Sequence, residues 1–311
     1  MSYVIIGNSA AAVGCVEGIR QIDKKTEIII ISKESHHTYS RPLISYLING
    51  KTDYEKMKYR NDSFYSDMGC KTMLGRNVVG IDNENKNAVL ENGEKVNYSK
   101  LLVATGSVPF IPSMEGLEKV KDKFSFMSLD DAKALEKSLS PNKKVLIIGA
   151  GLIGLKCAEG IYGKVDKITV IDLAPRILPS ILDEKGSEIV KKHIEDKGLN
   201  FILSDSVASF TENSANLKSG KVLDFDILVI AVGVRPNTEL LKAIGASVNR
   251  GIITDQYCKT TIPDIYSAGD CSESFDVSTD EMRVMALLPN AYMQGECAGI
   301  NMAGGEKLYQ K

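Results

Sequence analysis

Twice along this chain a short apolar strand runs into a glycine turn and then into a helix-compatible stretch. The first turn is Gly7-Asn8-Ser9-Ala10-Ala11-Ala12, after Tyr3-Val4-Ile5-Ile6. The second is Gly149-Ala150-Gly151-Leu152-Ile153-Gly154, after Lys144-Val145-Leu146-Ile147-Ile148. In such a turn the first Gly makes the tight strand-to-helix bend. The second lets backbone approach a pyrophosphate, and the third lets helix and strand pack closely. The phosphates then sit on the helix N-terminus, whose free N–H groups and dipole favour an anion. Two such turns predict two bound dinucleotides, and the use of two is to pass electrons between them.

The elements around the turns also repeat. In the first copy a helix over about 10–22 leads to the strand Glu27–Ile31, whose run Ile28-Ile29-Ile30-Ile31 reads as buried on both faces. A meander follows over Val78–Asp82, Ala88–Glu91 and Lys95–Tyr98, then the closing strand Leu101-Leu102-Val103-Ala104. The second copy has a helix to about Gly163, the strand Lys167–Ile171, a helix over 186–197 carrying His193, and a meander from about Val207 to Phe225. It closes on Ile227-Leu228-Val229-Ile230-Ala231-Val232-Gly233. This order predicts two related doubly wound α/β domains, each with a three-stranded crossover. The stretch after Asn237 has no glycine turn of its own and must complete one of them.

Composition narrows the function. The 311 residues suit two domains, and 43% hydrophobic with 25% charged residues is ordinary for a globular protein. A net charge of −2 gives no basis for binding nucleic acid or a membrane surface. No apolar run reaches the length of a membrane span. The first strand begins by Tyr3, which leaves no room for a signal peptide and points to the cytoplasm. Six cysteines without a close pair argue against a redox dithiol, and three histidines against a His-based metal site; no metal is expected.

A dinucleotide domain needs an acid near the end of its second strand, about 20 residues past the turn, to bind ribose hydroxyls. In the second copy Asp172 fills that place. A carboxylate there repels a 2′-phosphate, which favours NADH over NADPH; Arg176, able to pair with a phosphate, is the counter-argument. In the first copy Glu34 has the right chemistry. Ser9 and Ala12 stand where the second and third glycines would be, so this fingerprint is the weaker one.

Several motifs in one order resemble the FAD-dependent pyridine nucleotide oxidoreductases, in the branch of rubredoxin reductase, ferredoxin reductases and the flavin part of nitrite reductase. They are the two glycine turns, Tyr39-Ser40-Arg41-Pro42-Leu43-Ile44-Ser45, Ala104-Thr105-Gly106-Ser107-Val108-Pro109, Ala231-Val232-Gly233-Val234-Arg235-Pro236-Asn237, Ile265-Tyr266-Ser267-Ala268-Gly269-Asp270-Cys271, and Pro289-Asn290-Ala291 with Gln294-Gly295 beyond. The resemblance implies two Rossmann-like three-layer domains, an NAD domain (112–237) inserted into a split FAD domain (1–111 and 238–311). It implies FAD contacts from Gly7, Ser9, Ala10, Ala11, Glu34, Arg41, Pro42, Ala104, Thr105, Gly106, Gly269, Asp270 and Pro289. It implies nicotinamide-nucleotide contacts from Gly149, Gly151, Leu152, Ile153, Asp172, Arg176, Val232 and Gly233. Asp270 resembles the acid that holds the flavin's ribityl chain, and the helix opening at Pro289 would aim its N-terminus at the flavin, where reduction adds negative charge.

Departures from the family pattern are as informative. The disulfide reductases carry cysteine in the stretch that here reads Pro42-Leu43-Ile44-Ser45, so thiol relay chemistry is not expected. Many relatives have Glu where Lys156 stands and Lys near Tyr46. Pro42 and Lys156 are the candidate catalytic residues, Lys156 by placing positive charge near the flavin; a Lys on the helix rim is the alternative. Relatives also continue into an interface domain beyond the equivalent of Lys311, which leaves the oligomeric state and acceptor site open. The implied reaction is hydride transfer from NADH to FAD, then electron transfer to rubredoxin or an iron–sulfur protein. A flavin relay subunit and an oxygen-using NADH oxidase are the alternatives.

Overall fold

The computed structural model describes residues 2–309. The helices that bear on function are α1 (Ala10–Ile22), α2 (Ile44–Asn49), α3 (Leu152–Ile161), α4 (Glu184–Glu195) and α5 (Leu288–Met302). The chain forms two compact units. The first comprises residues up to Ser40, Lys58–Val108 and everything from Arg235; the second comprises Arg41–Met57 and Pro109–Val234.

The first unit is built on a parallel sheet in the order Ile265–Ser267, Lys100–Val103, Ser2–Ile6, Glu27–Ser32, Cys70–Leu74. Successive strand residues face opposite ways, and each face is covered. Tyr3, Ile5, Ile28, Ile30 and Leu102 pack among residues of α1 and α5. Val4, Ile6, Ile29, Ile31, Leu101 and Val103 pack under the meander residues Val78, Ile81, Ala88, Leu90 and Val96. That is why the Ile28–Ile31 run has no polar break: each buried Ile stabilises by about 1.5–3 kcal/mol on either side. The stretch after Asn237 supplies both the Ile265–Ser267 strand and α5, and so completes this unit.

The second unit repeats the plan in the order Asn200–Leu203, Lys167–Asp172, Lys144–Ile148, Ile227–Ile230, Lys123–Phe124, all parallel. Its three-stranded meander, Val207–Phe210, Ser214–Leu217 and Val222–Asp224, packs Phe210, Leu217 and Phe225 on Leu146, Ile148, Leu228 and Ile230. Asp183 caps α4 by accepting from Gly186 N at 2.7 Å. His193 lies in the last turn of α4.

The segment around Arg41-Pro42 belongs with the second unit. Gly160 of α3 lets α2 approach: a Cβ there would stand 3.0 Å from Ser45 O. Asn49 Nδ2 donates to Glu159 O at 3.0 Å, and Lys51 pairs with the Glu159 carboxylate at 3.4 Å.

Candidate functional site

In each sheet the glycine turn follows the strand where the order reverses, which is where open α/β sheets bind ligands. In the first unit that strand is Ser2–Ile6, in the second Lys144–Ile148. The two turns are built alike. Gly7 (φ +120°) donates to Ile31 O at 2.8 Å, and Gly149 (φ +111°) donates to Ile171 O at 2.8 Å. A Cβ on Gly7 would stand 2.1 Å from Ala104 O, and one on Gly149 would stand 2.2 Å from Ala231 O. The closing strands thus press on the first glycine of each turn, which ties the Ala104-Thr105-Gly106 and Ala231-Val232-Gly233 motifs to the turns in space.

The other glycines of the second turn differ in kind. A Cβ on Gly154 would stand 1.9 Å from Gly149 O, so that glycine serves the protein's own packing. Gly151 has ordinary extended backbone (φ −77°, ψ −175°), and a Cβ there would meet nothing within 4 Å. Packing does not require a glycine at 151, and the open space there leaves room for a phosphate to approach the backbone. The Asp172 carboxylate holds the turn, accepting from Ala150 N at 2.6 Å through Oδ2 and from Ala174 N at 2.8 Å through Oδ1. Each oxygen keeps a lone pair for a ribose hydroxyl. Arg176 Nη2 donates to Pro179 O at 3.3 Å, while its buried Nε has no partner, a donor suited to an anion. Leu152 and Val232 lie exposed beside the turn, at 57% and 37%, with Ile153 half-buried. These residues fit a nicotinamide nucleotide.

In the first unit the motifs scattered along the chain converge. Gly269 (φ +82°) packs against Ala11 of α1 and Ala291 of α5, at 3.2 and 3.6 Å from where its Cβ would be. The Gly269 turn that carries Asp270 is therefore set between α1 and the start of α5. Ser107 Oγ donates to Asp270 Oδ2 at 3.4 Å. Thr105 Oγ1 donates to Asn237 O at 2.7 Å, and Asn237 N returns a bond to Gly106 O at 2.8 Å. Ser9 is the N-cap of α1, yet its side chain makes no capping bond; Leu287 cannot cap α5, and Pro289 lies in its first turn. Both helices so present uncapped N-termini, with N–H groups open to an anion. Glu34 accepts from the Tyr39 hydroxyl at 2.6 Å. Asn8, inside the turn, accepts from the Tyr65 hydroxyl at 2.9 Å, and Tyr65 accepts from Thr38 N at 3.0 Å. The wholly buried Thr38 hydroxyl has no partner in the protein. An orphaned buried hydroxyl and two uncapped helix ends fit a second dinucleotide.

Sequence reasoning did not foresee the Asn8–Tyr65–Thr38 web, since Tyr65 is far along the chain from the turn it steadies. Arg41 and Pro42 form a 3₁₀ turn of the second unit; Arg41 Nη1 donates to Met127 O at 3.3 Å, and Pro42 is exposed. Lys156 of α3 pairs with Glu159 one turn on and lies over the Tyr46 ring, 4.2 Å from its centre. Burial disfavours the Lys156 charge, but the Glu159 hydrogen bond and charge outweigh it and raise its pKa.

Fold and site together define an oxidoreductase built on two dinucleotide-binding units. The match is direct: the model of the family "pyridine nucleotide-disulphide oxidoreductase" covers residues 1–295, and the chain belongs to that family. It is 33% identical to an NADH oxidase of Methanocaldococcus jannaschii, over 99% of this chain and 71% of that protein. It is 28% identical to a rubredoxin-NAD(+) reductase of Pseudomonas putida, over 98% of this chain and 80% of that protein. The ferredoxin reductase for the CYP199A2 system from Rhodopseudomonas palustris superposes with a TM-score of 0.91 at 26% identity, over 100% of this chain and 78% of that one. Of two longer relatives the chain spans 39% and 37%. Despite the family's title, the six cysteines are free, and Arg41–Met57 contains none. Among the described residues no helix is long and apolar enough to cross a membrane.

Proposed function

We propose that this chain oxidises NADH by passing a hydride to FAD and then delivers the electrons to a protein acceptor, a rubredoxin or an iron–sulfur protein. The first unit is the flavin domain, and the second is the nicotinamide-nucleotide domain. Bound FAD supplies the redox chemistry, accepting two electrons as a hydride and releasing them singly or together. The protein's part is binding, orientation and charge. Gly7, Ser9 and the α1 N-terminus receive the FAD pyrophosphate, with Glu34 toward the ribose. Asp270 and the α5 N-terminus hold the flavin end. Gly149, Gly151 and the α3 N-terminus receive the NADH pyrophosphate, and Asp172 reads the ribose. Lys156, on the same helix, sets the charge that the nicotinamide end meets.

The observation that carries this reading is the open space at Gly151, a glycine that the protein's own packing does not explain. Likeness to a rubredoxin-NAD(+) reductase and a ferredoxin reductase supports a protein acceptor. Likeness to an NADH oxidase favours oxygen as the second acceptor to test. Likeness to an assimilatory nitrate reductase electron transfer subunit of Bacillus subtilis supports, as the alternative reading, a relay role inside a larger assembly. Six free cysteines fit a reducing compartment, the cytoplasm.

The test is direct. Purified protein is expected to be yellow and to bleach anaerobically with NADH, faster than with NADPH. A colourless protein that cannot be reconstituted with FAD sinks the flavin assignment. A yellow protein that NADH cannot bleach sinks the donor assignment. Reoxidation by reduced-state titration against rubredoxin, ferredoxin and oxygen then ranks the acceptors.

A further inference from the structure

We propose that Gln294 is a positioning residue that joins the Asp270 turn to α5 and so sets how firmly the first unit holds the flavin. The inference rests on the reading of that unit as the FAD domain. Gln294 is 1% exposed, in α5 beyond Pro289. Its Oε1 accepts from Gly269 N at 2.8 Å, and its Nε2 donates to Ser274 Oγ at 3.0 Å. Ser272 closes the turn itself, donating to Gly269 O at 2.8 Å through both its N–H and its hydroxyl. Ser272 Oγ also lies 3.3 Å from Gln294 Oε1.

The Gly269 N–H is the pivotal group. The Ile265–Ser267 strand has ended before it, so no neighbouring strand offers it an acceptor. Gly269 is itself buried and in left-handed backbone. A buried N–H left without an acceptor is costly, and among the described residues Gln294 is the acceptor that answers it. A single side chain with one acceptor and one donor thereby fixes two features at once: the direction of the turn that presents Asp270, and its distance from the N-terminus of α5. A leucine could fill the volume but could do neither.

Two variants test this, with Ile19→Val as a control, since Ile19 is a wholly buried residue of the same unit. Gln294→Leu orphans the Gly269 N–H. Its FAD dissociation constant should rise about tenfold or more, equivalent to ~1.4 kcal/mol, with a shifted visible spectrum of the remaining bound flavin. Ile19→Val should lower the melting temperature while leaving both unchanged. Gln294→Glu is near-isosteric and should fold even where the leucine variant does not. Burial raises its carboxyl pKa above the ordinary value of about 4.3. When protonated it reproduces the amide's acceptor and donor; when ionised it cannot donate to Ser274. FAD affinity in this variant should therefore be near native at low pH and fall as pH rises, a dependence absent from the native protein. Native FAD affinity and spectrum in both variants across that pH range would overturn the role of Gln294. A native protein that binds no FAD overturns the flavin reading of the unit instead, so the two failures are told apart.

Discussion

The two later glycines of the second turn make opposite predictions. A Cβ at Gly154 would stand 1.9 Å from Gly149 O, and the obstruction is backbone that cannot swing aside. Gly154→Ala must push α3 off its strand, an overpacking cost of about 1–3 kcal/mol. At Gly151 the backbone is one that any residue adopts, and the Cβ would meet open space. Gly151→Ala should therefore leave the free protein as stable as before, or more so by about 0.4–1 kcal/mol, since alanine reduces the freedom of the unfolded chain. Its cost appears only when nucleotide arrives. A methyl group between backbone and pyrophosphate should raise KM for NADH at least about tenfold, ~1.4 kcal/mol of lost binding. Thermal unfolding with and without NADH, together with anaerobic flavin reduction at varied NADH, separates the two. The melting temperature of Gly154→Ala falls in both conditions. Gly151→Ala keeps its melting temperature without nucleotide and loses the stabilisation that NADH confers by mass action. An unchanged KM in Gly151→Ala would refute the assignment of this turn to the nicotinamide nucleotide.

Asp172→Ala removes the carboxylate proposed to accept from the ribose and releases two backbone N–H groups that it now holds. KM for NADH should rise by about 10- to 100-fold, from the ~1.5–3 kcal/mol of a charge-assisted bond, while preference over NADPH relaxes; steady-state kinetics with both nucleotides decide. Lys156→Glu sets two carboxylates one turn apart and removes a cation from the Tyr46 ring. Because the Lys156–Glu159 pair is about one-third exposed, stability should fall by no more than about 1 kcal/mol, whereas NADH kinetics should change several-fold; unchanged kinetics leave Lys156 as a rim residue. At Glu17, burial pushes the carboxyl up, but hydrogen bonds from Arg60 and Tyr292 and the Arg60 charge hold it below its ordinary value. That contribution is fully present above the unfolded pKa of about 4.3 and is lost as pH falls through the lower folded value. Glu17→Gln should therefore be less stable than native at pH 7, with the gap narrowing below about pH 4.3 in chemical denaturation.

Most of the framework was legible because it rests on periodicity and glycine. The apolar runs at Val4–Ile6, Ile28–Ile31 and Val145–Ile148 form central strands, buried on both faces, and α1 spans the expected Ala10–Ile22. The Cys70–Leu74 strand was not foreseen: at the sheet edge its Lys71 and Thr72 stay exposed, so it lacks an apolar run. Nor did any local signal place Arg41–Met57 with the second unit, since the deciding contacts, Ser45 with Gly160 and Asn49 with Glu159 O, join residues over a hundred positions apart. For the site, the acids were readable from their place after a strand, whereas their partners were not. Ala150 N holds Asp172 and Tyr39 holds Glu34, geometries that depend on how a loop folds back rather than on spacing.

The erosion of the first fingerprint has a physical account in how α1 is enclosed. In the second copy the third glycine is demanded by the turn's own carbonyl, Gly149 O. In the first copy Ala12 occupies that place and is wholly buried, so its methyl group is accommodated. The demand for small residues instead lies on the side of α1 that meets α5. A Cβ at Gly14 would stand 2.2 Å from Tyr292 O, and one at Gly18 would stand 2.4 Å from Glu296 O. From the other helix, Gly295 would meet Ala11 O at 2.0 Å and Gly299 would meet Cys15 O at 2.1 Å. The two helices therefore touch backbone to backbone over two turns, and Arg60, Glu17 and Tyr292 bind them further through hydrogen bonds and an ion pair. Helices joined so closely shift together or not at all. The helix assigned to the FAD pyrophosphate and the helix assigned to the flavin end are thus packed backbone to backbone, and their glycines serve that joint. A turn proposed to hold phosphate can carry Ser9 and Ala12 because the tight packing of α1 falls on the face that meets α5, and Ser9 brings a hydroxyl that no capping bond consumes.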